Sequence, residues 1–125
     1  MLESLSQQFR LALITNGNEA CQQRKLEATG LGQFFEMVAI SEAVGVKKPA
    51  PAIYNHCFDA LGVGPESVVM VGDHPINDIT GSRELGCMTV FVQGTHREAV
   101  ELQTDQIITH VSDLPVALLR MGLRL

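Results

Sequence analysis

Short apolar runs separated by segments of helical period constrain this chain most. Residues near 11–14, Met37–Ile40, residues 68–71 and Met88–Val92 are each four or five residues long and end in turn formers or polar residues, the pattern of buried strands. Between them, 19–29 is followed by Gly30, and Ile53, Cys57, Phe58 and Leu61 make a helical face that stops at Gly62. Leu2, Leu5 and Phe9 recur at helical spacing. A helix near 77–85 carries the small residues Gly81 and Ser82 and ends at Gly86, and Ile107–Ile108 reads as a short edge strand. Ser112 is positioned to cap a last helix with Leu114, Ala117, Leu118 and Met121 inward. Strands alternating with helices of this length imply βαβ units, and so an α/β fold with a parallel sheet.

Parallel sheets bind ligands just beyond the carboxyl ends of their strands. The run Val68–Val71 leads into Gly72-Asp73-His74-Pro75-Ile76-Asn77-Asp78, which puts two carboxylates five positions apart at such an end. Hard cations such as Mg²⁺ take a few carboxylate oxygens and keep waters for a phosphate ligand. Asp73 and Asp78 thus make a half-site for Mg²⁺. On this stretch alone another reading stands beside it, in which Asp73 closes a turn and Asp78 caps the next helix.

Two other loops carry phosphate chemistry. The first strand ends in Thr15-Asn16-Gly17, a hydroxyl followed by a turn whose amides form an anion-binding concavity, although Asn-Gly is also an ordinary turn former. In Lys48-Pro49-Ala50-Pro51 the first proline biases Lys48 away from helical geometry, and the second is tolerated in a first helical turn. Lys48 is therefore held just ahead of a helix, where its ammonium is a point charge for phosphate. A Lys-Lys-Pro stretch is also common in plain solvated loops.

Taken in order, Ile14-Thr15-Asn16-Gly17, Lys48-Pro49-Ala50-Pro51-Ala52-Ile53-Tyr54 and Gly72-Asp73 through Asp78 resemble motifs II, III and IV of the haloacid-dehalogenase-like (HAD) hydrolase superfamily. The resemblance runs from about Phe9 to Val92 and more loosely to the end. It implies a three-layer Rossmann-like parallel sheet flanked by helices, and a Mg²⁺-dependent hydrolase of a small phosphorylated substrate, in the phosphatase and nucleotidase branch more than among the dehalogenases. By the same resemblance Thr15 and Lys48 are catalytic, and Thr15 and the Asn16 amide take phosphate oxygens. Lys48 offsets charge on nucleophile and phosphate, while Asp73 and Asp78 hold the metal, directly or through water.

One motif is missing. Family members begin with an Asp-x-Asp on the central strand, whose first Asp attacks phosphorus, and no Asp-x-Asp occurs here. Asp59 lies in an amphipathic helix, Asp105 in a polar loop and Asp113 at the start of the last helix. Covalent catalysis of this type lacks its key member, so the chain by itself is expected to have no turnover. The helical cap of many relatives is missing too. The expectation is one HAD-like core domain over 1–125, N-terminally incomplete, like the C-terminal portion of a longer enzyme. In the family fold the missing strand lies between those that carry motifs II and IV, so its loss exposes two strand edges. A partner chain supplies the strand, two copies close the gap by strand exchange as a homodimer, or the sheet re-pairs. A non-catalytic α/β binding or assembly module derived from such a hydrolase is the alternative. A receiver-like or nucleotide-binding domain is disfavoured, because no acidic pair or glycine fingerprint follows the first strand.

Composition sets the outer limits. The 125 residues are 46% hydrophobic but only 5% aromatic, so the core rests on aliphatic side chains. Fourteen acidic and nine basic residues give a net charge of −5, with no basic patch for nucleic acid. Cys21, Cys57 and Cys87 have no metal-site or redox spacing and read as buried small hydrophobes in a reducing compartment. His56, His74, His96 and His110 show no ligand spacing, and only His74 is placed to touch substrate. No signal peptide is visible and no apolar run approaches the roughly 20 residues that span a bilayer. These features point to the cytoplasm and away from membranes.

Overall fold

The computed structural model describes residues 2–93 and 103–123. His96 lies outside them. The chain divides into two compact units, Met1–Val63 and Gly64–Leu125. Both are α/β, with parallel strands flanked by helices.

The first unit opens with α1 (Leu2–Gln8) and continues through β1 (Ala12–Thr15), α2 (Glu19–Thr29), β2 (Met37–Ile40), α3 (Ser41–Val44) and α4 (Pro51–Leu61). β1 and β2 run parallel from Ala12 opposite Met37 to Thr15 opposite Ile40. Both helix stops expected from glycine in this unit are present: Gly30 and Gly62 close α2 and α4 in the left-handed region, at φ 68° and 69°, where a side chain would be strained. Pro51 stands in the first turn of α4, whose missing N–H costs nothing there. That helix turns Ile53, Tyr54, Cys57 and Phe58 into the core, whereas Leu61 is only half-buried. Tyr54, fully buried, widens the expected stripe by one position. α2 is different. Its sequence EACQQRKLEAT offers no apolar face, none of its residues is buried, and Cys21 is exposed rather than a core thiol.

The second unit contains β3 (Val69–Gly72), a wide turn of helix at Pro75–Thr80 running into α5 (Gly81–Glu84), then β4 (Met88–Val92), β5 (Gln106–Ile108) and α6 (Leu114–Arg120). Its sheet has the order β3-β4-β5, all parallel, with Val69 opposite Met88 and Val90 opposite Gln106. β4 is paired on both sides and buries Thr89, Val90 and Phe91. β3 is paired on one side, and none of its four residues is fully buried. An apolar run that reads as a fully buried strand is thus a half-exposed edge, because burial depends on neighbours as well as composition. Cys57 and Cys87 are buried, and burial pushes both thiols up, Cys87 to about 11 with Glu66 adding to the effect. Ser112 does not cap α6. It sits inside a tight turn, Val111–Asp113, where the His110 N–H donates to the Asp113 carboxylate at 3.4 Å.

Candidate functional site

The residues expected to hold phosphate lie in the first unit, at the end of β1. Thr15 is the last residue of β1 and, like Asn16, is half-buried. The next three residues each reach across to the segment after β2. Asn16 Oδ1 accepts the Lys48 N–H at 2.8 Å, and Asn16 Nδ2 donates to the Lys48 carbonyl at 3.1 Å. The Gly17 N–H donates to Ser41 Oγ at 2.8 Å, and that hydroxyl lies 3.3 Å from the Gly17 carbonyl it donates to. Asn18 Nδ2 donates to Glu42 Oε2 at 3.0 Å, while Asn18 Oδ1 caps α2 by accepting the Cys21 N–H at 3.1 Å.

The main chain of Lys48 is thereby brought beside the end of β1. The turn's amides are less free than the Asn-Gly pattern implies. Gly17 gives its N–H to Ser41, and Glu19 gives its N–H to Glu42 Oε1 at 3.4 Å. Sequence reasoning missed Ser41 and Glu42 as supports. Nothing local marks them, since they bond to residues 23 and 24 positions away. Asn18 was missed as well, although Asn directly before a helix is a standard N-cap signal that could have found it.

The residues expected to hold metal lie in the second unit, after β3. Asp73 is exposed and Asp78 is buried. Asp78 Oδ2 accepts the His74 N–H at 3.1 Å, which folds the carboxylate back toward the strand end that carries Asp73. Gly72 makes this approach fit: a Cβ there would collide with the Asp78 carboxylate and its Cβ. His74 is a helix cap, its Nδ1 accepting the N–H groups of Ile76 at 3.2 Å and Asn77 at 3.0 Å. Both Asp78 and Ile79 donate N–H to the His74 carbonyl, at 3.0 and 3.4 Å, so the first turn is wider than α-helical. Such widened turns often mark functional sites. Ser82 closes the turn, its Oγ donating to the Asp78 carbonyl at 2.5 Å.

Two carboxylates offer a hard, all-oxygen donor set that suits Mg²⁺. The set is partial. Among the described residues no group of three or more His, Cys, Asp or Glu side chains stands together as a metal cage.

Sequence comparison gives the family. The haloacid dehalogenase-like hydrolase family model matches residues 1–92. The chain belongs to that family. It is 39% identical over 106 residues to a phosphoserine phosphatase of Thermus thermophilus, covering 84% of this chain and 43% of that protein. It is 40% identical over 98 residues to an N-acylneuraminate-9-phosphatase of Mus musculus, covering 78% and 40% respectively. In three dimensions it resembles a HAD phosphatase of Thermococcus onnurineus, with TM-score 0.87 and 30% identity, over 99% of this chain and 56% of that one. The chain spans less than half the length of these two curated relatives. Among the described residues no helix is long and apolar enough to cross a membrane.

Proposed function

We propose that this chain carries the phosphate-binding, lysine and Mg²⁺-binding parts of a cytoplasmic phosphatase acting on a small phosphorylated metabolite. The Thr15 hydroxyl and the main chain at Asn16 take phosphate oxygens, and the Lys48 ammonium offsets the charge of phosphate and nucleophile. Asp73 and Asp78 hold Mg²⁺, which when bound neutralises phosphate charge. The observation that carries this reading is the link between the strand end at Thr15-Asn16 and Lys48, made by two hydrogen bonds. The phosphatase names of the two curated relatives support the same chemistry.

The chain has no Asp-x-Asp, and we propose that the attacking carboxylate is supplied by a further segment or a partner chain. Among the described residues β1 and β3 each pair with one strand, which leaves an edge open to an added strand. We propose that the core is completed by a further segment, by a partner chain or by a second copy. The 125-residue chain should not hydrolyse an aryl phosphate above a Lys48→Ala control, and should bind Mg²⁺ only weakly. Adding a segment with a strand and Asp-x-Asp should restore turnover that Asp73→Asn abolishes. Mg²⁺-dependent turnover by the chain alone, lost in Asp73→Ala, would overturn the missing-nucleophile reading. No turnover even after completion would favour the non-catalytic binding module.

A further inference from the structure

We propose that Asn16 is a positioning residue for Lys48: its carboxamide, bonded to both the N–H and the carbonyl of Lys48, sets where the lysine ammonium stands. The inference rests on the proposed meeting of Lys48 with phosphate and adds the device that directs it. A lysine is a compact charge on a flexible four-carbon stem. Its head is placed only as well as its root is fixed.

The root is fixed from two sides. On one, Ala50 donates its N–H to the Lys47 carbonyl at 3.0 Å, and α4 begins at Pro51. On the other, Asn16 supplies one acceptor and one donor to a single residue 32 positions away, at 2.8 and 3.1 Å. Two bonds to one main-chain residue resist both sliding and rotation, as a hydrogen-bonded pair does in an antiparallel ladder. Both residues are half-buried, so water replaces a lost partner poorly.

The chemistry also dictates the side chain. Aspartate keeps an acceptor for the Lys48 N–H but sets a second oxygen against the Lys48 carbonyl. Alanine offers neither group, and glutamine is one methylene too long for a root already held at Pro51. Asn16 therefore acts through Lys48, with its carboxamide committed to the lysine main chain rather than to phosphate.

The test uses the ¹⁵N-labelled full chain with Mg²⁺, inorganic phosphate as the probe, and amide exchange at Lys48 as a second readout. Asn16→Ala should speed Lys48 amide exchange about tenfold and weaken phosphate binding several-fold. Added to Lys48→Ala, it should cause no further loss of phosphate binding, since a residue that acts through the lysine has nothing left to direct. Additive losses in the double variant, or unchanged Lys48 exchange in Asn16→Ala, would overturn the proposal. If Asn16→Ala fails to fold, Asn16→Asp takes its place: the lost donor and the oxygen set against the Lys48 carbonyl should speed Lys48 exchange, and exchange as slow as in the parent chain would count against the clamp. Phosphate binding untouched by Lys48→Ala would sink the functional role of the lysine, while the exchange arm still decides whether Asn16 holds its root.

Discussion

The loop after β1 and the loop after β3 both present polar groups at a strand end, yet the hydrogen bonds described for them differ in reach. Asn16, Gly17 and Asn18 are tied to Lys48, Ser41 and Glu42 across 24 to 32 residues of chain. The ties described within the loop after β3 are of short range. His74, Ile76, Asn77, Asp78 and Ser82 bond to one another over separations of two to four residues. Bonds between residues two to four positions apart form as soon as their helix forms. A loop held by distant residues depends on the whole unit, because the bonds form only after the long chain between them is ordered. The metal-type loop should thus respond to local substitutions, and the phosphate-type loop to loss of tertiary structure.

The largest expected effect tests the local loop. Gly72→Ala drives a methyl into Asp78, and because the contact includes the Asp78 Cβ as well as its carboxylate, rotation of the side chain does not relieve it. Overpacking of this kind costs about 1–3 kcal/mol, and weak Mg²⁺ binding should vanish with it. Chemical denaturation and a Mg²⁺ titration of the variant check this. Unchanged stability would show that the Asp78 packing is not as tight as the close approach implies.

Asn16→Ala comes next and probes the distant ties. It removes two half-buried hydrogen bonds and leaves the Lys48 N–H and carbonyl without these partners, at a cost of about 1–2 kcal/mol. Amides of residues 16–18 and 41–48 should lose exchange protection together, while those of 74–82 keep theirs. Spread of the loss into 74–82 would break the contrast between the loops.

His74→Ala should cost about 1 kcal/mol, the usual loss for an N-cap, read from the denaturation midpoint. His74→Asn should recover most of it, since an asparagine oxygen can take the same helix amides. If asparagine fails to rescue, the imidazole matters for more than capping.

Burial of Cys87 predicts a pH effect confined to the second unit's core. Its thiol sits near 11 in the fold, against an ordinary 9.0. The folded state therefore favours the protonated form, so the stabilisation is complete below pH 9 and is lost between pH 9 and about 11 as the unfolded thiol ionises. Cys87→Ala should lessen the loss of stability over that window, whatever its cost at neutral pH, and leave the part due to the buried Cys57. The smallest effect belongs to Arg10. Its guanidinium pairs with Glu36 at 2.9 Å, but both side chains are about half exposed, so Arg10→Ala should shift the denaturation midpoint only slightly, and less in high salt.

By itself the sequence determined what local chemistry can write. The alternation of runs gave the strands at Met37–Ile40 and Met88–Val92, the glycine stops at Gly30 and Gly62, and the order Thr15, Lys48, Asp73 and Asp78 along strand ends. Each of these follows from the period of apolar residues or from a residue's own backbone preference. Tertiary structure alone decided that β3 is an edge while β4 is an interior strand, since their runs are equally apolar and only pairing separates them. It also decided that Ser41 and Glu42 brace the phosphate loop and that Asn16 holds Lys48. A hydrogen bond between residues dozens of positions apart leaves no mark on either residue's surroundings in the chain, and exists only once folding has brought the two together.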